Sequence, residues 1–160
     1  MKRSKFFVVA VSLLFATACG SNSLNGSVSE IELVKLDGTT TSIGTAAQNH
    51  PLLVSLWAVW CQPCKRELPA LEQISMERQD LEVLAVNIGD NPEKVESFMQ
   101  ENGLAISVAI DENGALLEAL DAATVPVTVL FDTDGTILWS HIGVVDVDQV
   151  NNALDAFTNL

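Results

Sequence analysis

Two hydrophobic patterns alternate along this chain. Residues 52–58 (LLVSLWA) are apolar at all but one position, the pattern of a strand covered on both faces and placed centrally in a parallel sheet. From Cys61 the period lengthens: Cys64, Leu68, Leu71 and Ile74 recur at spacings of 4, 3 and 3, which puts them on one face of a helix. Pro69 falls inside that helix and predicts a bend, because it frees the Lys65 carbonyl. Residues 81–88 again read as a strand. Asn91-Pro92 opens a helix that runs through Glu101 and stops at Gly103. A strand over 104–110, a short helix over 113–121 and a strand over 127–131 follow, and Asp134-Gly135 turns the last of these into a strand over 137–142. Asp146 and Gln149 form a capping-box pair for a closing helix whose Val147, Val150, Leu154 and Phe157 share a face. Near the other end, 31–36 and 39–43 flank Asp37-Gly38 and predict a hairpin. Together these elements predict an α/β fold, a central mixed β-sheet flanked by helices, in one domain over 30–160.

The first eighteen residues do not belong to that domain. Lys2, Arg3 and Lys5 precede thirteen residues, 6–18, in which only Ser12 and Thr17 are polar. A helix needs about 20 apolar residues to span a bilayer, so 1–18 reads as a secretory signal peptide. Ala16-Thr17-Ala18 before Cys19 suits two cuts at the same bond, by an ordinary signal peptidase or by the peptidase that cleaves before a lipid-modified cysteine. Thr17, Ala18 and Cys19 resemble the bacterial lipobox, although Ala16 stands where that motif usually has Leu. The resemblance favours a lipid on Cys19 and a flexible tether over 19–29, rich in Ser, Asn and Gly. A soluble secreted protein with a spare thiol is the alternative.

Charge narrows the partners. The 160 residues hold 21 Asp and Glu against 8 Lys and Arg, a net of −13. Removing 1–18 takes away three cations and no anion, so the exported chain stands at −16. Such a polyanion repels phosphate backbones and anionic headgroups, which argues against nucleic acid as a partner. The acidity otherwise describes a solvated surface.

Two cysteines remain after Cys19 is set aside, in Trp60-Cys61-Gln62-Pro63-Cys64, directly after a buried strand and at the start of a helix. The positive end of a helix and its free N–H groups favour a thiolate over a thiol. Cys61, nearer solvent, is expected to be the nucleophile, and Cys64, on the apolar face, the resolving thiol. A structural staple across so short a loop gains little entropy, and a zinc site needs four ligands where only His50 and His141 remain. Redox chemistry is therefore favoured, with no metal and no cofactor. His141 reads as an edge-strand residue, and Lys65 and Arg66 either stabilise a Cys61 thiolate or balance Glu67 and Glu72.

The run W-A-x-W-C-x-x-C-K, with Pro69 eight residues after Cys61, resembles thioredoxin. The C-x-P-C core, the N-terminal hairpin and the secretory signal resemble the TlpA/ResA group of membrane-anchored periplasmic oxidoreductases within that superfamily. Thr124-Val125-Pro126, before a strand and a D-x-D-G hairpin, resembles the loop that carries the superfamily's cis-proline. The resemblance implies a thioredoxin-like fold with the group's helix-strand insertion between Glu93 and Asp121, a cis Pro126, and a Val125 main chain that pairs with substrate. It also implies that Trp60 covers the disulfide, although packing alone would account for that residue equally. Gln62 and Pro63 would tune the couple. Ser55 stands where thioredoxin has a buried Asp, and Gln62 where ResA-like members often have Glu, so the proton-transfer group is expected to be water, another group or the thiols themselves.

The function implied is a lipid-anchored extracytoplasmic thiol-disulfide oxidoreductase. Its partners would be a disulfide-containing client protein, as in apocytochrome c maturation, and an upstream membrane thiol electron donor. The Gln62-Pro63 pair keeps the proline of reducing thioredoxins and lacks the His of strong oxidants, which favours a reductase. An oxidase or isomerase, and a non-enzymatic lipoprotein that binds copper or clients, are the alternatives.

Overall fold

A computed structural model of the chain describes residues 28–158; the expected signal peptide 1–18, Cys19 and the tether up to residue 27 lie outside the described residues. The elements run β1 (Glu32–Lys35), β2 (Thr40–Ser42), α1 (Ile43–Ala46), β3 (Leu52–Trp57), α2 (Gln62–Glu77), β4 (Glu82–Ile88) and α3 (Pro92–Glu101). They continue with β5 (Ser107–Asp111), α4 (Ala115–Ala119), β6 (Val127–Phe131), β7 (Ile137–Ile142) and α5 (Val147–Thr158). The seven strands form one sheet in the order β2-β1-β5-β4-β3-β6-β7. β3, β4 and β5 are parallel, while β6 runs antiparallel to β3 and the hairpins β1/β2 and β6/β7 close the two edges.

Strand alternation splits the core in two. Leu53 and Trp57 of β3, Val83 and Ala85 of β4, Val108 and Ile110 of β5 and Leu130 of β6 face α2, α3 and α5, which bring Leu68, Leu71, Val95, Val150 and Leu154. Leu52, Val54 and Leu56, with Leu84, Val86, Val127 and Val129, face the other way onto Ile43, Leu116 and Val28. This explains why β3 reads as a continuous apolar run: both its faces are covered. Val28 is 4% exposed, so the domain is already packed at a residue that composition assigned to the tether.

The capping box holds as a reciprocal pair, with Asp146 N–H donating to Gln149 Oε1 at 3.0 Å and Gln149 N–H to Asp146 Oδ1 at 2.8 Å. α2 runs unbroken through Pro69, which stands on its exposed side. β5 starts three residues later than expected, because the backbone before it is tied to helices: Leu104 N–H donates to Met99 O, and Ala105 N–H to the Glu72 carboxylate. The second strand of the hairpin stops at Ser42, whose hydroxyl caps the unforeseen α1 through the Thr45 N–H at 3.2 Å and leaves Ile43 fully buried.

Candidate active site

β3 ends at Trp57 and the chain turns through residues 58–60 into α2, so Cys61 becomes the N-cap of that helix and Cys64 lies in its first turn. The two sulfurs form a disulfide with Cα atoms 5.3 Å apart. Cys61 Sγ accepts the Cys64 N–H at 3.2 Å, a bond that would strengthen with negative charge on that sulfur. Gln62 and Pro63 are exposed, and Pro63 falls where a helix has no N–H to lose. The two cysteines are both buried, Cys61 at 3% exposure and Cys64 at 1%. Trp60, at 68% exposure, stands clear of the surface just before them.

The loop before β6 closes the site from the other side. The Val125–Pro126 peptide is cis, and the Val125 carbonyl oxygen lies 3.8 Å from Cys61 Sγ. Gly143 N–H donates to Pro126 O at 2.9 Å, which draws the exposed Ile142 and Val144 to the same end of the sheet. Trp60 and Val125 offer apolar surface beside the disulfide, whereas Ile142, opposite Val127, projects to the other face of the sheet.

A carboxylate that the sequence offered only as a counter-charge for Lys65 and Arg66 sits inside. Glu67, one helical turn after Cys64, is 1% exposed. Its Oε1 accepts the Ser55 hydroxyl at 2.9 Å and the Thr128 hydroxyl at 3.0 Å, and its Oε2 accepts the Val145 N–H at 3.2 Å. Burial pushes its carboxyl up, while these hydrogen bonds and the charge of His141 pull the other way. Ser55 therefore does not replace a buried carboxylate so much as hold one that has moved from strand to helix. Lys65 does not balance Glu67; its ammonium lies 5.0 Å over the Phe98 ring, and that ring packs against Trp57 at 5.4 Å. The available signal was position: 67 is three after 64 and four before 71, on the apolar stripe.

A second acid holds the loop that carries Trp60 and Cys61. Asp90 Oδ2 accepts the Val59 N–H at 2.7 Å and the Asn87 side-chain amide at 3.1 Å, and Oδ1 accepts Lys94 at 2.6 Å. Burial opposes the charge on Asp90, and the bonds from Lys94, Val59 and Asn87 outweigh it, so the carboxyl stays below its usual range. His50 and His141 do not meet: His50 sits 3.9 Å from Glu82, and His141 stacks on Trp139. Cys19 lies outside the described residues.

Comparison with known proteins fits this geometry. The Redoxin family model matches residues 20–156. The chain is 29% identical over 107 residues to thiol-disulfide oxidoreductase ResA of Geobacillus kaustophilus, covering 66% of this chain and 62% of that one. The match thus spans about three-fifths of the ResA relative. Thioredoxin-like protein YneN of Bacillus subtilis is 31% identical over 130 residues, with 79% of this chain and 75% of that one covered. The exposed lipoprotein thioredoxin of Streptococcus pneumoniae superposes with a TM-score of 0.69 at 24% identity, over 79% of this chain and 98% of that one, which establishes a thioredoxin-like fold.

Proposed function

The chain belongs to the Redoxin family, and on that premise we propose that it is a thiol-disulfide oxidoreductase that reduces protein disulfides through Cys61 and Cys64. The observation that carries the reading is the Cys61–Cys64 disulfide at the N-terminus of α2, its outer sulfur capped by the Cys64 N–H and faced by the Val125 carbonyl. In the reduced protein the Cys61 thiolate attacks a client disulfide. One client sulfur leaves as a thiolate and a mixed disulfide forms. Cys64 loses its proton and attacks Cys61 Sγ, the second client sulfur leaves, and the Cys61–Cys64 disulfide returns with two electrons passed to the client. A thiol donor on the membrane resets it.

Glu67 fits the acceptor of the Cys64 proton, being a buried carboxyl with a raised affinity for protons one turn away on the same helix. Val125 and cis-Pro126 fit an edge for an extended client segment, with the exposed Trp60 as its apolar rim. Gln62 and Pro63 fit residues that tune the couple. The N-terminal pattern supports removal of 1–18, a lipid on Cys19 and a tether from there to the domain, hence action on the outer side of a membrane. An apocytochrome c with an oxidised haem-attachment pair is a client of the class required.

The test is the reduction potential of the Cys61/Cys64 couple. A value near about −270 mV supports a reductase, and one near about −120 mV makes the protein an oxidant. Turnover of a protein disulfide that persists in Cys61→Ser refutes the enzyme reading altogether.

A further inference from the structure

Glu67 is held by groups that do not neutralise it. Its donors, the Ser55 and Thr128 hydroxyls and the Val145 N–H, carry no charge. The sheet register extends this contact sideways. Ser55 of β3 stands opposite Thr128 of β6, and Thr128 opposite His141 of β7. Directly opposed residues project to the same face, so Ser55, Thr128 and His141 form a row across three strands under α2. The row begins in the core, with Ser55 at 1% and Thr128 at 0% exposure, and ends at a partly exposed imidazole on the edge strand. That ring is braced against Trp139, centroids 5.9 Å apart and planes within 12°.

The other charged groups on the surrounding elements are engaged elsewhere or face water. On α2, Lys65 lies over Phe98, Arg66 is exposed and Glu72 accepts the Ala105 N–H. At the start of α5, Asp146 caps the helix and Asp148 is exposed. β3 and β6 carry no ionisable side chain. His141 is the charged group whose influence reaches Glu67, adding to the larger effect of the three hydrogen bonds in opposing burial.

We propose that His141 is a positioning residue for the dithiol chemistry: from the solvent end of the Ser55-Thr128-His141 row it shifts the pH at which Glu67 gives up its proton, and through Glu67 the pH dependence of the Cys61/Cys64 couple. Its last step rests on the oxidoreductase reading above. A protonated imidazole favours the Glu67 carboxylate, which takes the proton from the Cys64 thiol, leaving a thiolate on sulfur and an acid on Glu67 with no electron moved. With the imidazole neutral, that support is lost and Glu67 holds its own proton to higher pH, so it accepts the Cys64 proton less readily.

The experiment is a carbon-13 NMR titration of the Glu67 side-chain carboxyl in the full chain, paired with the Cys61/Cys64 potential measured against pH. His141→Asn is expected to move the Glu67 midpoint upward, and His141→Lys, which keeps a cation, to return it to or below the wild-type value. The break in the potential curve moves in the same direction in each variant, and His141→Asn changes nothing in a Glu67→Gln background. A Glu67 midpoint indifferent to both substitutions overturns the proposal, as does a shift of the potential curve that survives Glu67→Gln. A wild-type protein whose Glu67 responds to His141 but whose cysteines form no reversible couple refutes the oxidoreductase reading instead.

Discussion

Asp90→Ala tests how the active-site loop is held. The substitution removes a carboxylate that is 7% exposed and accepts three donors. Lys94 is 53% exposed and regains water, so its share is about 0.2–1 kcal/mol. The Val59 N–H and the amide of fully buried Asn87 lose their acceptor where little water reaches them, at about 1–3 kcal/mol for each unsatisfied group. Water entering the space left by the carboxylate recovers part of this, so a loss of about 2–4 kcal/mol in urea unfolding of the oxidised protein is expected. Asp90→Asn keeps an oxygen for Val59 and Asn87 and loses only the ion pair, so its loss stays near 1 kcal/mol or below. Amide exchange locates the effect. If the loop opens locally, the Val59 amide exchanges roughly 30-fold faster in Asp90→Ala for a 2 kcal/mol loss. Equal losses in the two variants, or an unchanged Val59 rate in Asp90→Ala, would refute the claim that this carboxylate pins the loop.

Two further outcomes follow from the same geometry. Burial raises the Glu67 carboxyl above the ordinary glutamate value of 4.5, so the folded state binds that proton more tightly than the unfolded chain. The associated stability is complete below the unfolded value and is lost as pH rises through the folded one. Wild type should therefore lose Tm relative to Glu67→Gln as pH climbs out of the acid range, and a Tm difference that stays flat with pH contradicts it. Trp60 is 68% exposed, so Trp60→Ala should leave stability within about 0.5 kcal/mol while raising KM for a protein disulfide and leaving a small-molecule disulfide unaffected. Equal losses on both substrates would remove Trp60 from the client surface.

Much of the framework is legible in the sequence because period and punctuation are local. The apolar run of β3, the Asn91-Pro92 start of α3, the Asp134-Gly135 turn and the Asp146/Gln149 box each lie within a few residues, and each stands where it was expected. The Cys61 and Cys64 pair is legible for the same reason. What escaped depends on contacts between distant segments. Asp90 reaches Val59 across 31 positions, and no local pattern announces it. Glu67 was hidden by its residue type, since a glutamate beside Lys65 and Arg66 resembles a solvated helix face. Its partners did leave a trace: Ser55 and Thr128 are the polar interruptions of two strands that are otherwise apolar. That they face each other is a matter of register, which strand sequences alone do not specify.

Trapping the mixed disulfide tests the central claim most directly. Cys64→Ser, reduced and offered a disulfide-bonded protein, should accumulate a covalent adduct through Cys61, seen by intact mass and released by dithiothreitol, while Cys61→Ser accumulates none. An adduct that forms as readily in Cys61→Ser, or none in Cys64→Ser, would contradict thiol-disulfide exchange led by the sulfur at the N-terminus of α2.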